Sequence, residues 1–216
     1  MTTKKTTATK DTNNSITYKI ILLGSSGVGK TSFFNKIALD KFNEKAFLAT
    51  IGMDRMTVVC DIVDPKTKED VQLKIELWDT AGQERFQGLT RSYLKNADGV
   101  ILMFDITNRE SMEKLTSWLN ELKNSNNTAL VRILANKADL AGKFPNCIKK
   151  EEIENLAKKL NYPFLGLYSC KTSTQEELKE LISKIGYDLY RTIDKKHRQI
   201  KIKAVNKSNN RCLCGK

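Results

Sequence analysis

Histidine is almost absent from this chain of 216 residues; His197 stands alone. No group of His and Cys has the spacing of a zinc site. The five cysteines are an odd number without regular spacing. That argues against a disulfide framework and suits a reducing compartment. No run approaches the roughly 18 apolar residues that a membrane-spanning helix needs. The opening "MTTKKTTATKDTNNS" has no apolar segment and is not read as a secretory signal, and Thr2 excludes N-myristoylation. Residues 1–16 form a polar, low-complexity arm expected to be disordered. No internal repeat is present.

What the chain does contain is enough apolar material, 40% of residues, for one sizeable core. Its net charge of +12 would suit a nucleic-acid binder, but the charge is unevenly placed. Residues 191–216 carry nine Lys or Arg against one Asp, and residues 1–19 carry four Lys against one Asp. The 171 residues between them carry 24 basic and 23 acidic side chains. The globular part is therefore nearly neutral, which disfavours a nucleic-acid-binding face. The basic ends read either as solubilising tails or as attraction to an anionic surface. The expected division is a disordered arm over 1–16, one domain over 17–194, and a flexible basic tail over 195–216.

Apolar runs and helical patterns alternate along the domain. "YKIILLG" opens it as a strand, and "KTSFFNKIAL" follows as a helix. "RMTVVCDIVD" and "VQLKIELWD" are strands joined as a hairpin by "PKTKE". "GVILMFDI", "ALVRILAN" and "PFLGLYS" are further strands. A helix over "NRESMEKLTSWLNELK" aligns Leu115, Trp118, Leu119 and Leu122, with Thr107 and Glu110 as its capping box. "KKEEIENLAKKL" aligns Ile153, Leu156, Ala157 and Leu160. The last helix aligns Leu178, Leu181, Ile182, Ile185 and Leu189, with Ser173 and Glu176 boxing its start. Cys60 and Cys170 read as core thiols and Cys147 as a loop residue. Six strands and about five helices imply a three-layer α/β fold, its sheet parallel except for the hairpin's antiparallel edge strand.

"GSSGVGKTS" follows the first strand and opens the first helix. Gly24, Gly29, Lys30 and Thr31 fit G-x-x-x-x-G-K-S/T. Glycines allow backbone N–H groups to approach phosphates without a Cβ clash, and the helix N-terminus adds its positive dipole end. Lys30 can neutralise β/γ oxygens, and the Thr31 hydroxyl can meet Mg²⁺. Ser25, Ser26, Gly27, Val28 and Ser32 complete the expected cradle.

"NKAD" lies at the C-terminal end of a strand, where open α/β sheets bind ligands. The Asp139 carboxylate can accept both N1–H and the 2-amino group of guanine, a pair adenine does not present. This opposes an ATPase reading. Asn136 can brace the loop and meet N7, the Lys137 stem can lie over the purine, and Leu140 follows in the same turn. "SCK" places Ser169, Cys170 and Lys171 beyond the next strand, where a backbone N–H can meet the guanine O6. In "WDTAGQERF", Asp79 can hold Mg²⁺ through water, Gly82 can offer its N–H to the γ-phosphate, and Gln83 can orient the attacking water. In "ATIG", Thr50 can close over Mg²⁺.

The set "GSSGVGKTS", "TIG", "WDTAGQERF", "NKAD" and "SCK", in this order and spacing, resembles the Ras superfamily of small GTPases over residues 17–190. The full "WDTAGQERF", Ser26, "FDITNRESMEKLTSWLNEL" and the paired terminal cysteines look most like its Rab branch. The resemblance implies a P-loop fold and a GTP/GDP switch that binds and slowly hydrolyses GTP with Mg²⁺. In it Gln83, Lys30, Gly82 and Thr50 are catalytic, and Thr31, Thr50 and Asp79 hold the metal. It implies an exchange factor, an activating protein, effectors, and escort and dissociation-inhibitor proteins, and a cytoplasmic protein that cycles to the cytosolic face of endomembranes. It also implies lipidation of Cys212 and Cys214, although Gly215 and Lys216 follow where such endings usually stop. Two more departures are visible. Arg55 stands where the branch usually has Phe, and the segment from Phe42, which the resemblance implies stacks edge-on against guanine, to Thr50 is one residue longer than usual. The alternatives are a GTPase of another branch or an inactive nucleotide-bound scaffold.

Overall fold

A computed structural model of the chain describes residues 15–42, 53–80, 94, 96–125 and 128–209, with side chains described as far as residue 193. The strands are β1 (Ser15–Leu23), β2 (Met53–Val63), β3 (Asp70–Thr80), β4 (Gly99–Asp105), β5 (Leu130–Asn136) and β6 (Phe164–Leu167). They form one sheet in the order β2-β3-β1-β4-β5-β6. β2 pairs antiparallel with β3, and every other pairing is parallel. The expected hairpin and edge strand are thus present.

The helices are α1 (Lys30–Leu39), α2 (Arg109–Glu113), α3 (Leu115–Asn124), α4 (Lys150–Leu160) and α5 (Gln175–Asn209). Strand pleating sends alternate residues of β1 to opposite layers. Ile20 and Leu22 pack with Phe33 and Ile37 of α1 and with Leu178, Ile182, Ile185 and Leu189 of α5. Ile21 and Leu23 pack with Leu115, Trp118, Leu119 and Leu122 of α3 and with Ile153 and Ala157 of α4. Each fully buried aliphatic side chain here contributes about 1.5–3 kcal/mol of transfer free energy. The sheet is therefore a rigid floor, clamped from both faces, beneath the loops at its edge.

Three expectations change at the helix ends. The single helix expected after β4 is interrupted at Lys114 between α2 and α3. Thr107 does not cap it, because its N–H and hydroxyl both donate to Asp105 Oδ1, at 2.8 and 2.7 Å. Asn108 takes the role, accepting from the Ser111 N–H at 3.2 Å. At α5 the box is one residue later than expected. The Glu177 N–H donates to Thr174 Oγ1 at 3.1 Å, and the Thr174 N–H donates to Glu177 Oε2 at 2.9 Å. Ser173 is held instead by Ser169, whose carbonyl accepts its N–H at 2.8 Å. α5 itself runs on to Asn209. No Gly or Pro lies between Gly186 and Gly215 to stop it.

Candidate functional site

Parallel strands place their C-terminal ends on one edge of a sheet, and ligands of open α/β folds bind there. In this protein that edge carries the loop after β1, Asp79 in β3, Asp105 ending β4, Asn136 ending β5, and Ser169 beyond β6.

The loop after β1 is shaped by two glycines. Gly24 has φ +144°, and a Cβ there would lie 2.2 Å from the Met103 carbonyl oxygen. Gly29 has φ +97°, and a Cβ there would lie 2.2 Å from Asn136 Nδ2. Neither position accepts another residue without displacing backbone or amide. Lys30 is only 4% exposed and donates from Nζ to the carbonyls of Gly24 at 2.8 Å and Ser25 at 2.9 Å. The loop is thus folded around the Lys30 ammonium group. Ser25 Oγ is buried without a hydrogen-bond partner. The N-terminus of α1 opens immediately after the loop, aiming its dipole at the same place.

Thr31 Oγ1 donates to Asp79 Oδ2 at 2.7 Å. Asp79 is fully buried, and its other oxygen, Oδ1, has no hydrogen-bond partner. Burial pushes this carboxyl above the ordinary aspartate range, while the Thr31 hydroxyl and the Lys30 charge offset part of the rise. An orphaned buried carboxylate oxygen beside a hydroxyl is costly by itself. A hydroxyl and a carboxylate oxygen are the hard donors Mg²⁺ takes, so the pair fits that ion, directly or through water.

The base-side loop is tied to the phosphate loop. Asn136, 2% exposed, donates from Nδ2 to the Val28 carbonyl at 2.9 Å. Its Oδ1 accepts the Cys170 N–H at 3.3 Å and faces Cys170 Sγ, also at 3.3 Å. Burial pushes the Cys170 thiol up to about 12, so it stays protonated and serves as a donor. Asp139 Oδ1 accepts the Ser169 hydroxyl at 2.6 Å, and Ser169 Oγ accepts the N–H of Lys171 at 3.1 Å and of Thr172 at 3.2 Å. Asp139 and "SCK" therefore hold each other in register. Lys137 adopts a left-handed φ of 66°, and its Nζ pairs with Asp105 Oδ2 at 2.6 Å. Leu140 ends the short 3-10 turn Ala138–Leu140, and its carbonyl accepts the Cys147 thiol at 3.3 Å.

Asp105 was missed at the sequence level. Its Oδ2 holds Lys137 and its Oδ1 holds Thr107, so it fixes two loops at once. The available signal was an acid closing an otherwise apolar strand beside the base-side strand, where Asp105 registers with Asn136. Of the other expected residues, Phe42 is 37% exposed. Thr50, Gly82, Gln83, Cys212 and Cys214 lie outside the described residues.

The sequence relationships agree with this geometry. The Ras family model matches residues 19–191. Ras-related protein Rab-37 of Homo sapiens is 37% identical over 164 residues, covering 76% of this chain and 70% of that protein. Ras-related protein Rab-13 of Canis lupus familiaris is 35% identical over 173 residues, covering 80% and 79%. Ras-related protein Rab-26 of Drosophila melanogaster is 35% identical over 167 residues, covering 77% of this chain and 41% of the longer relative. A match over nearly the whole domain, on top of a Gly-rich loop after β1 bonded to the "NKAD" loop after β5, places the chain in the Ras family, as a Rab-like GTPase.

Proposed function

We propose that this GTPase works as a GTP/GDP switch recruiting effectors to membranes of vesicle traffic. The bond from Asn136 to the Val28 carbonyl is the observation that carries the reading most directly. It makes base recognition and phosphate binding parts of one rigid receptor. Asp139 reads the guanine edge and the backbone N–H groups of "SCK" face O6. Ser25, Ser26, Gly27, Val28, Gly29 and Lys30 cradle the phosphates, with Thr31 and Ser32 at the helix start. Thr31, Thr50 and Asp79 hold Mg²⁺, which when bound neutralises developing phosphate charge. Gln83 orients the attacking water, and Gly82 offers its N–H to the γ-phosphate. Among the described side chains no arginine finger is evident in cis, so hydrolysis is slow until an activating protein supplies one, worth about 10³–10⁵ in rate.

The domain occupies 17–194 and the basic end carries the membrane signal. α5 continues through most of that basic segment, and Cys212 follows its last residue, Asn209, closely in sequence. Two lipidated thiols at Cys212 and Cys214, with the +8 charge of residues 191–216, would anchor the protein stably to the cytosolic face of an endomembrane. Exchange factor, activating protein, effectors, and escort and dissociation-inhibitor proteins belong to the same cycle.

The test is competition and single turnover on one preparation. GTP and GDP are expected to displace a fluorescent guanine nucleotide while ATP does not, and Gln83→Leu is expected to retain GTP but lose hydrolysis. Equal displacement by ATP would overturn the base assignment. Unchanged turnover in Gln83→Leu, with and without an activating protein, would overturn the catalytic one.

A further inference from the structure

Trp78 lies beside Asp79 in β3 and registers with Arg55 of the edge strand β2. Two cations sit over its indole ring. Lys19 Nζ lies 4.4 Å and the Arg55 guanidinium 5.6 Å from the centroid. Lys19 is partly desolvated there, which lowers its pKa against the pull of Glu76 and Asp98. Arg55 differs from it in being open to solvent, its side chain 66% exposed. Among the described residues the acid at its fork is Glu76, at 4.0 Å, the outer limit of an ion pair. A guanidinium laid over an aromatic ring keeps its in-plane N–H donors pointing outward, preset for a carboxylate. On the same face of β2, at spacings of four and eight residues, Val59 and Val63 are 53% and 55% exposed. Four residues of strand span about 13 Å. Asp61 between them is engaged by Gln72 Nε2 at 3.2 Å.

We propose that Arg55 is a carboxylate clamp, and that this face of β2 docks a partner segment bearing an Asp or Glu followed by aliphatic side chains. An aromatic plug, which would need the Trp78 face, has to displace two cations first. An acidic residue meets the Arg55 fork against only the loose pull of Glu76 at 4.0 Å, and its aliphatic neighbours cover Val59 and Val63. Charge complementarity thus names the occupant. The place names its timing: Asp54 and Met53, adjoining Arg55, register with Asp79 and Thr80 at the nucleotide end of the sheet. The inference rests on the switch reading above insofar as docking is expected to favour the GTP state.

The test uses the full chain loaded with a non-hydrolysable GTP analogue to select phage-displayed random peptides. Each recovered peptide is titrated by fluorescence anisotropy against wild type, Arg55→Ala, Arg55→Lys and Arg55→Phe. The side chain is exposed, and retained nucleotide shows that each variant is folded. Selected peptides should carry Asp or Glu. Their affinity should fall about tenfold or more in Arg55→Ala, as for loss of a charge-assisted fork, and partly recover in Arg55→Lys. Selection on Arg55→Phe should replace acidic peptides by apolar ones. Peptides without a carboxylate, binding unaffected by Arg55→Ala, or a selection with no Arg55-dependent binder each overturn the clamp. Arg55-dependent peptides that bind the GDP-loaded chain equally well leave the clamp standing and count against the switch.

Discussion

Asn136 donates from Nδ2 to the Val28 carbonyl at 2.9 Å, joining loops 108 residues apart in sequence. Two donors of Cys170, its N–H and its thiol, converge on the other end of the same amide. One side chain therefore bonds both halves of the nucleotide site, and the thiol fixes which way the amide points.

Asn136→Ala would leave the Cys170 N–H buried with its acceptor gone and release the Val28 carbonyl. Unsatisfied buried groups cost about 1–3 kcal/mol each, so GDP release should be about tenfold or more faster. Cys170→Ala removes one of the two donors and should show a smaller acceleration, while Cys170→Ser keeps a hydroxyl donor and should stay near wild type. Stopped-flow release of a fluorescent GDP measures all three. Release from Asn136→Ala at the wild-type rate would mean that the two loops are not coupled through this amide.

Ser169 and Asp139 give a second handle. The Ser169 hydroxyl occupies Asp139 Oδ1 at 2.6 Å, which fixes the carboxylate plane. Asp139→Asn keeps that contact and exchanges an acceptor for an N–H donor toward the base. GTP should weaken and xanthosine triphosphate should gain. Ser169→Ala should weaken GTP modestly, without a change of base preference. Competition titrations with both nucleotides separate these outcomes, and a wild-type preference in Asp139→Asn would rule out Asp139 as base reader.

Asp79 makes a pH-dependent claim. Its carboxyl is raised in the folded protein, chiefly by burial. The folded state thus holds this proton more tightly than the unfolded chain does. The associated stability is full below the ordinary aspartate range and is lost as pH climbs through the raised value. The cost grows as pH climbs through that raised value, and a bound cation relieves it. The rise in melting temperature on adding Mg²⁺ with GDP should therefore be larger near about pH 7.5 than near about pH 5. Asp79→Asn should be more stable than wild type without Mg²⁺, gain less from it, and retain nucleotide poorly. If wild type and Asp79→Asn gained equally from Mg²⁺ at both pH values, the site would lie elsewhere.

The phosphate loop and its flanking β1 and α1 were legible because chemistry there dictates residue type. Gly24 and Gly29 meet Met103 and Asn136 too closely for any Cβ, and a buried Lys30 needs those loop carbonyls. The strands were legible from apolar runs, and the hairpin from its turn. Both helix caps at Thr107 and Ser173 were misread for one reason. Capping residues are chosen by competition, and Asp105 and Ser169, two and four residues upstream, engage Thr107 and Ser173 first. Asp105 closes an apolar strand, a signal easily passed over because its partner, Lys137, belongs to another strand's loop. α5 continues beyond the apolar spacing that marks it because Lys and Arg are good helix formers.

The last expectation concerns the far end of the hairpin, away from the nucleotide edge. Tyr190 of α5 donates its hydroxyl to Asp64 Oδ2, and both side chains belong to buried residues. Asp64 Oδ1 also accepts the N–H groups of Lys66 at 2.7 Å and Thr67 at 3.3 Å. One carboxylate therefore shapes the β2–β3 turn and ties it to the helix that leads to the basic end. Tyr190→Phe keeps the ring in the core and removes only the hydroxyl donor. A hydrogen bond to a buried charge contributes about 1.5–3 kcal/mol, and each kcal/mol lowers the melting temperature by about 2–4 °C in a domain of this size. Asp64→Asn, which can still accept from Tyr190, should cost less. Asp64→Ala should cost more, since it also strips the turn of its acceptor. Hydrogen exchange should quicken at residues 64–70 in Tyr190→Phe, while release of fluorescent GDP stays at the wild-type rate because the nucleotide loops are untouched. A melting temperature equal to wild type, with unaltered exchange in the turn, would show that the Tyr190 hydroxyl does not hold hairpin and helix together.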